Sequence, residues 1–408
     1  GFHTQAQQST RYILQADRLF DGEQMHIGWS VAVNDNRIDS VGIINEVPAG
    51  AKIISLPGTT LMPGMIEGHS HLFLHPYNET AWDEQVLNES RTERNARAIN
   101  HALATLMVGF TTVRDLGTEG AMYDDAALKK VIAKGIVPGP RMIVATRAIV
   151  AKGSYGPKSS NAETDYPQGA AEVSNAAEMI SEVRTQISKG ADLIKIYADY
   201  NGGKNNEAVP TFTTEEISAA VKVAALSGRQ VVVHASSAEG MRNAIMAGVS
   251  TIEHGDEGTA EIFTLMKQKN VALCPTISAG EAVEGYRAAA KGVAIDSARV
   301  RKKIKSFQLA LAAGVTICMG GDAGVFTHGD NAREMIAMVR LGMSPLDVLR
   351  SATSVNAKIF GYGNEFGTIK KGMLADIIAV AGDPLRNINA VKNVKMVMKD
   401  GKIYKTLQ

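Results

Sequence analysis

Cysteine is scarce: Cys274 (VALCPT) and Cys318 (VTICMGG) are the two in 408 residues. Two thiols in short apolar runs cannot build a disulfide framework, and they read as small core side chains. An excess of either charge is also missing, since 43 Lys and Arg stand against 42 Asp and Glu, a formal charge of +1. That balance sets aside nucleic-acid binding and a solvating acidic tail. No apolar run reaches the roughly 20 residues that cross a bilayer, so no membrane role is expected. Fixed-period repeats and low-complexity linkers are lacking as well. The opening GFHTQAQQST is polar and unpatterned, without a signal peptide's apolar core; it reads as an appended segment or the start of a mature exported chain. Cytoplasm and periplasm both stay open.

What is present is ordinary globular material: 45% hydrophobic residues, 21% charged residues and 39 glycines. The two ends read as β structure. Residues 11–60 alternate in short segments broken by turns (YILQADRLF, DGEQ, WSVAVNDNRIDSVG, AKIISLPG), predicting a small antiparallel unit. The end of the chain repeats the idiom in GTIKKGMLADIIAVAG and VKMVMKDGKIYK, with Asp400-Gly401 as a hairpin turn. Neither end buries enough alone, so 8–61 and 365–408 are expected to pair as one split β-sandwich.

Between them, over 62–364, strands and helices alternate. Eight β-rich apolar runs occur: LMPGMIEGH, TTVRDLG, PRMIVAT, DLIKIYA, QVVVHAS, STIEHGD, VALCPT and TICMGGDAG. Helical stretches such as AAEMISEVRTQISKG and AEGMRNAIMAG separate most of them and end in glycine. This order predicts an α/β chain with a (β/α)8 TIM-type barrel. A doubly wound open sheet is the rival, weakened because no glycine-rich phosphate loop follows the first run.

Barrel enzymes place working residues at the C-terminal ends of strands. Run one ends in His69-Ser70-His71, run four contains Lys195, run five ends at His234, run six at His254 and run eight at Asp322. In His69-x-His71 the two-residue period puts both imidazoles on one side of a strand, where they can share a cation. Imidazole suits Zn, Fe, Co or Mn. Lys195 interrupts the apolar LIKIY; a buried unpaired ammonium is costly, so its pKa should fall, and a neutral lysine can take up carbon dioxide as a carbamate that bridges two cations. Asp322 lies in GGDAG, where glycines allow close backbone approach. Each residue alone has a bland structural reading. Together they supply ligands for two cations about 3.5–4 Å apart, which would lower the pKa of a shared water and polarise a carbonyl.

PGMIEGHSH, IKIY, VVVHA, IEHG and GGDAG, in this order, resemble the amidohydrolase superfamily over nearly the whole chain. The likeness extends to the opening β segment and the closing GTIKKGMLADIIAV. Within that superfamily the chain looks most like the prolidase-like or imidazolonepropionase-like group, which includes metal carboxypeptidases and bacterial ochratoxin-degrading amidohydrolases. The resemblance implies that His69, His71 and Asp322 bind one metal, that His234 and His254 bind the second, and that Lys195 bridges them as N6-carboxylysine. It also implies that Asp322 takes the proton of the bridging hydroxide and delivers it to the leaving amine. Zinc is the expected metal, a soluble homo-oligomer the expected form and a bacterium the expected source.

One departure stands out. Several relatives carry a Gly-Gly-His-Gly loop after the third strand, whereas here the stretch reads Ala151-Lys152-Gly153-Ser154-Tyr155-Gly156-Pro157. Tyr155, with Lys152 or Arg147, is therefore the candidate reader of a substrate's terminal carboxylate. His75, Tyr77 and His328 are further pocket candidates. The expected reaction is hydrolysis of dipeptides or N-acyl amino acids with a hydrophobic C-terminal residue, ochratoxin A among them. The alternatives are hydrolysis of cyclic amides of the imidazolone type and a catalytically dead scaffold. The full complement of six ligand-competent positions argues against the scaffold.

Overall fold

The computed structural model describes residues 10–406 except 160, 162 and 296. The expected terminal limits at 8 and 408, and all of GFHTQAQQST except Thr10, lie outside the described residues. The chain divides into two compact units: one of Gly1–Met65, Met107–Thr111 and Pro345–Gln408, the other of Ile66–Leu106 and Thr112–Ser344.

The first unit is built on an eight-stranded sheet. Its order runs Lys402–Lys405, Val394–Lys399, Ile377–Ala381, Lys52–Pro63, Arg11–Phe20, Ser30–Asn34, Arg37–Gly42, with Met25–Ile27 on Arg11–Phe20. Strands from the two ends of the sequence thus interleave. The N-terminal part is mixed rather than antiparallel, because Arg11–Phe20 and Lys52–Pro63 run parallel. Alternating apolar residues of both ends, among them Leu14, Val31, Leu61, Ile377 and Met396, form one core cluster. At the hairpin, Asp400 (φ 49) and Gly401 (φ 72) hold the two positive φ angles of a tight primed turn. Residues ahead of 365 also belong to this unit: Ser354 donates to the Gly22 carbonyl, and Arg350 donates to that of Glu23.

The second unit carries the alternating pattern. Its strands are β1 (Met65–Ser70, whose first residue belongs to the first unit), β2 (Phe110–Asp115, whose first two residues belong to the first unit), β3 (Arg141–Val144), β4 (Ile194–Tyr197), β5 (Val231–Ala235), β6 (Thr251–His254) and β7 (Ala272–Cys274). The eighth run forms isolated bridges at Ile317 and Ala323 in place of a regular strand. One sheet orders β1-β2-β3; another orders Ala171–Val173, Ile149–Ala151, β4, β5, β6, β7, with β4 to β7 parallel. Backbone hydrogen bonds run between the sheets: Asp192 to Val144 (2.8 Å), Cys318 to Leu273 (2.8 Å) and Gly68 to Met319 (3.0 Å).

The helices obey local signals. Asn175, Thr213, Ser237 and Thr259 cap N-termini through their side chains. Gly190 (φ 109) and Gly248 (φ 89) end helices in left-handed backbone. Three further helices matter for the site: α1 (Arg91–Met107), α2 (Ile277–Lys291) and α3 (Ser297–Ala313). Among the described residues no helix is long and apolar enough to cross a membrane.

Candidate active site

The ends of the parallel strands gather a buried set of polar groups. His69 and His71 leave β1 with their Nε2 atoms 3.3 Å apart. Asp322 Oδ1 lies 3.4 Å from His71 Nε2 and 3.6 Å from His69 Nε2. The ring of His254 sits 5.0 Å from that of His69 and 4.5 Å from that of His234. Lys195, fully buried in β4, holds its Nζ 5.3 Å from the ring centre of Tyr197, which stacks on His234. His69, His254 and Asp322 offer ligand atoms all within 4.8 Å of one another. The six residues singled out in the sequence occupy one neighbourhood.

Outer partners fix how these side chains point. His71 Nδ1 donates to the Gly117 carbonyl at 2.8 Å, which leaves Nε2 as the lone-pair nitrogen. His69 Nδ1 pairs with Glu253 Oε2 at 2.9 Å, and Glu253 is held through its other oxygen by Arg114. His254 Nδ1 pairs with Thr276 Oγ1 at 2.7 Å. Glu67 accepts from the backbone of His69 (3.1 Å) and of Gly321 (2.8 Å) and from Asn331 (2.9 Å), so one carboxylate ties β1 to the Asp322 loop.

Burial sets the electrostatics. It pushes the Asp322 carboxyl up to about 6, against the pull of His71 and Lys195. It pushes the His234 imidazole down to about 3, with Lys195 adding to the shift. The Lys195 ammonium is lowered by the same desolvation, partly offset by Glu253 and Asp322. Lys195 Nζ, His234 Nδ1 and Asp322 Oδ1 are buried without a hydrogen-bond partner. Backbone strain concentrates here too: Glu119 (φ 47), Thr146 (φ 65), His254 (φ 74) and Thr276 (φ 48) are left-handed at or shortly beyond strand ends, and Asp322 (φ 65) is left-handed beside the bridge at Ala323.

A cavity of about 310 Å³ opens over the cluster, lined by His71, His234, His254 and Asp322 together with Glu119, Tyr77, Tyr155, Tyr197, Tyr200, Arg287 and Arg299. Tyr155 and Tyr77 are thus on the wall. Four other expected pocket residues do not line it. Lys152 is exposed. Arg147 spends a guanidinium hydrogen on the Ala170 carbonyl. His75 is buried against Glu89 at 2.6 Å, and His328 stacks on His101 at 4.3 Å. The hydroxyl of Tyr155 donates to Glu119 Oε2 at 2.7 Å, so it meets a carboxylate of the protein itself.

Sequence reasoning missed Glu119, Arg287 and Arg299. Glu119 had a signal, since it follows run two as the other candidates follow theirs. The arginines belong to α2 and α3, where an exposed cation is the commonest surface feature and carries no mark.

Comparison with known proteins finds similar chains. Ochratoxinase of Aspergillus niger is 30% identical over 94% of this chain and 84% of its own length. Its fungal source removes the ground for expecting a bacterial one. A solved Xaa-Pro dipeptidase with methionine bound in its active site is 32% identical with a TM-score of 0.87, covering 97% of this chain and 100% of that one. A prolidase complexed with N-methylphosphonate-L-proline is 26% identical with a TM-score of 0.83, covering 97% and 100%. Residues 60–404 match the amidohydrolase family model, and the chain belongs to that family of hydrolytic enzymes acting on the C–N bonds of amides.

Proposed function

We propose that this amidohydrolase uses two divalent cations to cleave the amide bond of dipeptides or N-acyl amino acids. The observation that carries the reading is the buried cluster: two imidazole Nε2 atoms and a carboxylate oxygen converge, while Lys195 Nζ, His234 Nδ1 and Asp322 Oδ1 have no hydrogen-bond partner. Unpaired buried polar atoms cost about 1–3 kcal/mol each, and imidazole and carboxylate donors together suit a divalent ion. The residues present therefore fit such ions.

In this proposal His69, His71 and Asp322 would hold one cation, His234 and His254 would hold the other, and Lys195, as N6-carboxylysine, would serve both. Zinc is the metal proposed. When bound, the cations would acidify water and polarise the scissile carbonyl. Asp322 removes the proton of the attacking water and passes it to the leaving amine, a role its position 3.4 Å from His71 Nε2 and on the cavity wall allows. Glu253, Gly117 and Thr276 keep the imidazoles oriented. Arg287 and Arg299 are the cavity's candidates for the substrate's terminal carboxylate: each guanidinium has five hydrogens, more than its pairing with Glu284 or Asp256 uses, whereas the single Tyr155 hydroxyl hydrogen is already taken.

The backbone bonds between the two sheets support a closed (β/α)8 barrel over about 62–364, with the terminal strands as the split β-sandwich; a homo-oligomer is the proposed assembly. The test is hydrolysis by zinc-reconstituted protein across dipeptides, N-acyl amino acids, ochratoxin A and cyclic amides, with Asp322→Asn alongside. Release of a free amino acid from linear amides, lost in the variant, is expected. Turnover of rings alone would move the reading to the imidazolone type.

A further inference from the structure

Glu119 is a buried carboxylate that the proposed reaction leaves without a task. It sits in the turn after β2, 2% exposed, on the wall of the cavity. Tyr155 (2.7 Å) and Trp82 (3.1 Å) both donate to its Oε2. Its Oε1 is buried with no hydrogen-bond partner. Arg94 of α1, itself fully buried, donates to the carbonyls of Thr118 and Glu119 and to that of Phe73, and so fixes the left-handed turn without pairing the carboxylate. One oxygen is thus clamped by neutral donors, and the other, on a residue that lines the cavity, is left without a partner.

We propose that Glu119 receives the protonated amino group of a dipeptide's first residue, so that the site selects substrates with a free N-terminus over N-acyl amino acids. This rests on the amide-hydrolase reading above. The chemistry assigns the half of the substrate: in a dipeptide the ammonium belongs to the acyl half and the carboxylate to the leaving half. A leaving half placed against Glu119 would set two carboxylates together, whereas the acyl half brings the cation that a desolvated carboxylate lacks. The carboxylate end then falls to Arg287 and Arg299, which line the same cavity and keep guanidinium hydrogens beyond those that face Glu284 and Asp256. Burial raises the Glu119 carboxyl above its ordinary range despite Tyr155, Trp82 and the nearby Arg94 charge, the condition in which a bound ammonium has most to offer. An N-acyl amino acid such as ochratoxin A brings no ammonium and leaves Glu119 Oε1 unmatched.

Two substrates that differ only in the amine decide it: alanyl-phenylalanine and N-propionyl-phenylalanine, assayed with the zinc-loaded enzyme and its E119Q variant. The expected result is a kcat/KM at least tenfold higher for the dipeptide in the native enzyme, falling to near parity in E119Q through a rise in KM for the dipeptide. A native enzyme indifferent to the amine overturns the proposal, and so does a preference that survives in E119Q. Should neither compound be hydrolysed, the amide-hydrolase reading fails on its own. Equilibrium binding of the same pair, followed by Trp82 fluorescence, then tests Glu119 separately. Amine-dependent binding lost in E119Q sustains its role, and equal binding or none refutes it.

Discussion

At Asp322 a left-handed backbone, two neighbouring imidazoles and a desolvated carboxyl coincide. Replacing it with Asn keeps shape and removes basicity. A proton-transfer group contributes about 10²–10⁴-fold, so kcat should fall by that range while the melting temperature stays close to native. Retention of more than a tenth of the activity would remove Asp322 from proton transfer. Lys195→Met should leave a folded chain with no charged residue in β4 but less than two equivalents of zinc by metal analysis; two tightly held equivalents would exclude a bridging role. A third residue-scale expectation concerns His101, whose imidazole burial pushes from 6.5 down to about 4. Between those values the unfolded chain binds more protons than the folded one, so this contribution is complete above pH 6.5 and is lost as the pH falls toward 4. Its size is on the order of 3 kcal/mol, and His101→Gln should flatten the acid limb of a melting-temperature profile. An unchanged limb would show that other groups govern acid unfolding.

Elements were legible to the extent that their signals were local. Glycine stops, side-chain caps and the Asp400-Gly401 turn act over a few residues, and the structure places them where the pattern does. The histidines, Lys195 and Asp322 were visible because a polar residue interrupting an apolar strand is costly and therefore conspicuous. Glu119 escaped because it lies beyond its strand, past Gly117, in a turn whose shape comes from Arg94 on a helix. Lys152 and Arg147 were placed by proximity in sequence, whereas the cavity's arginines come from helices more than a hundred residues later. Parallel pairing of Arg11–Phe20 with Lys52–Pro63 was likewise hidden, since strand direction depends on the path of the intervening chain. The Arg94 staple predicts a measurable cost. Arg94→Met removes four hydrogen bonds to three carbonyls, and each buried acceptor left unsatisfied costs about 1–3 kcal/mol in denaturant unfolding. A loss below 1 kcal/mol would mean the turn holds itself.

At the scale of the whole molecule, a cation bound to the folded chain alone must stabilise it. Zinc at 100 times its dissociation constant adds about 2.7 kcal/mol per site, so a chelator should lower the melting temperature and readdition should restore it. Insensitivity of the melt to chelator would count against bound cations altogether. The interleaved sheet of the first unit sets a different condition, one of timing. Lys52–Pro63 leaves the ribosome early, yet its neighbour Ile377–Ala381 is made when most of the chain has already been synthesised. Until then one edge of an apolar strand stands open, a template for pairing with another nascent chain. Synthesis rate and chaperone supply should therefore govern the yield of this protein more than the stability of the finished fold does.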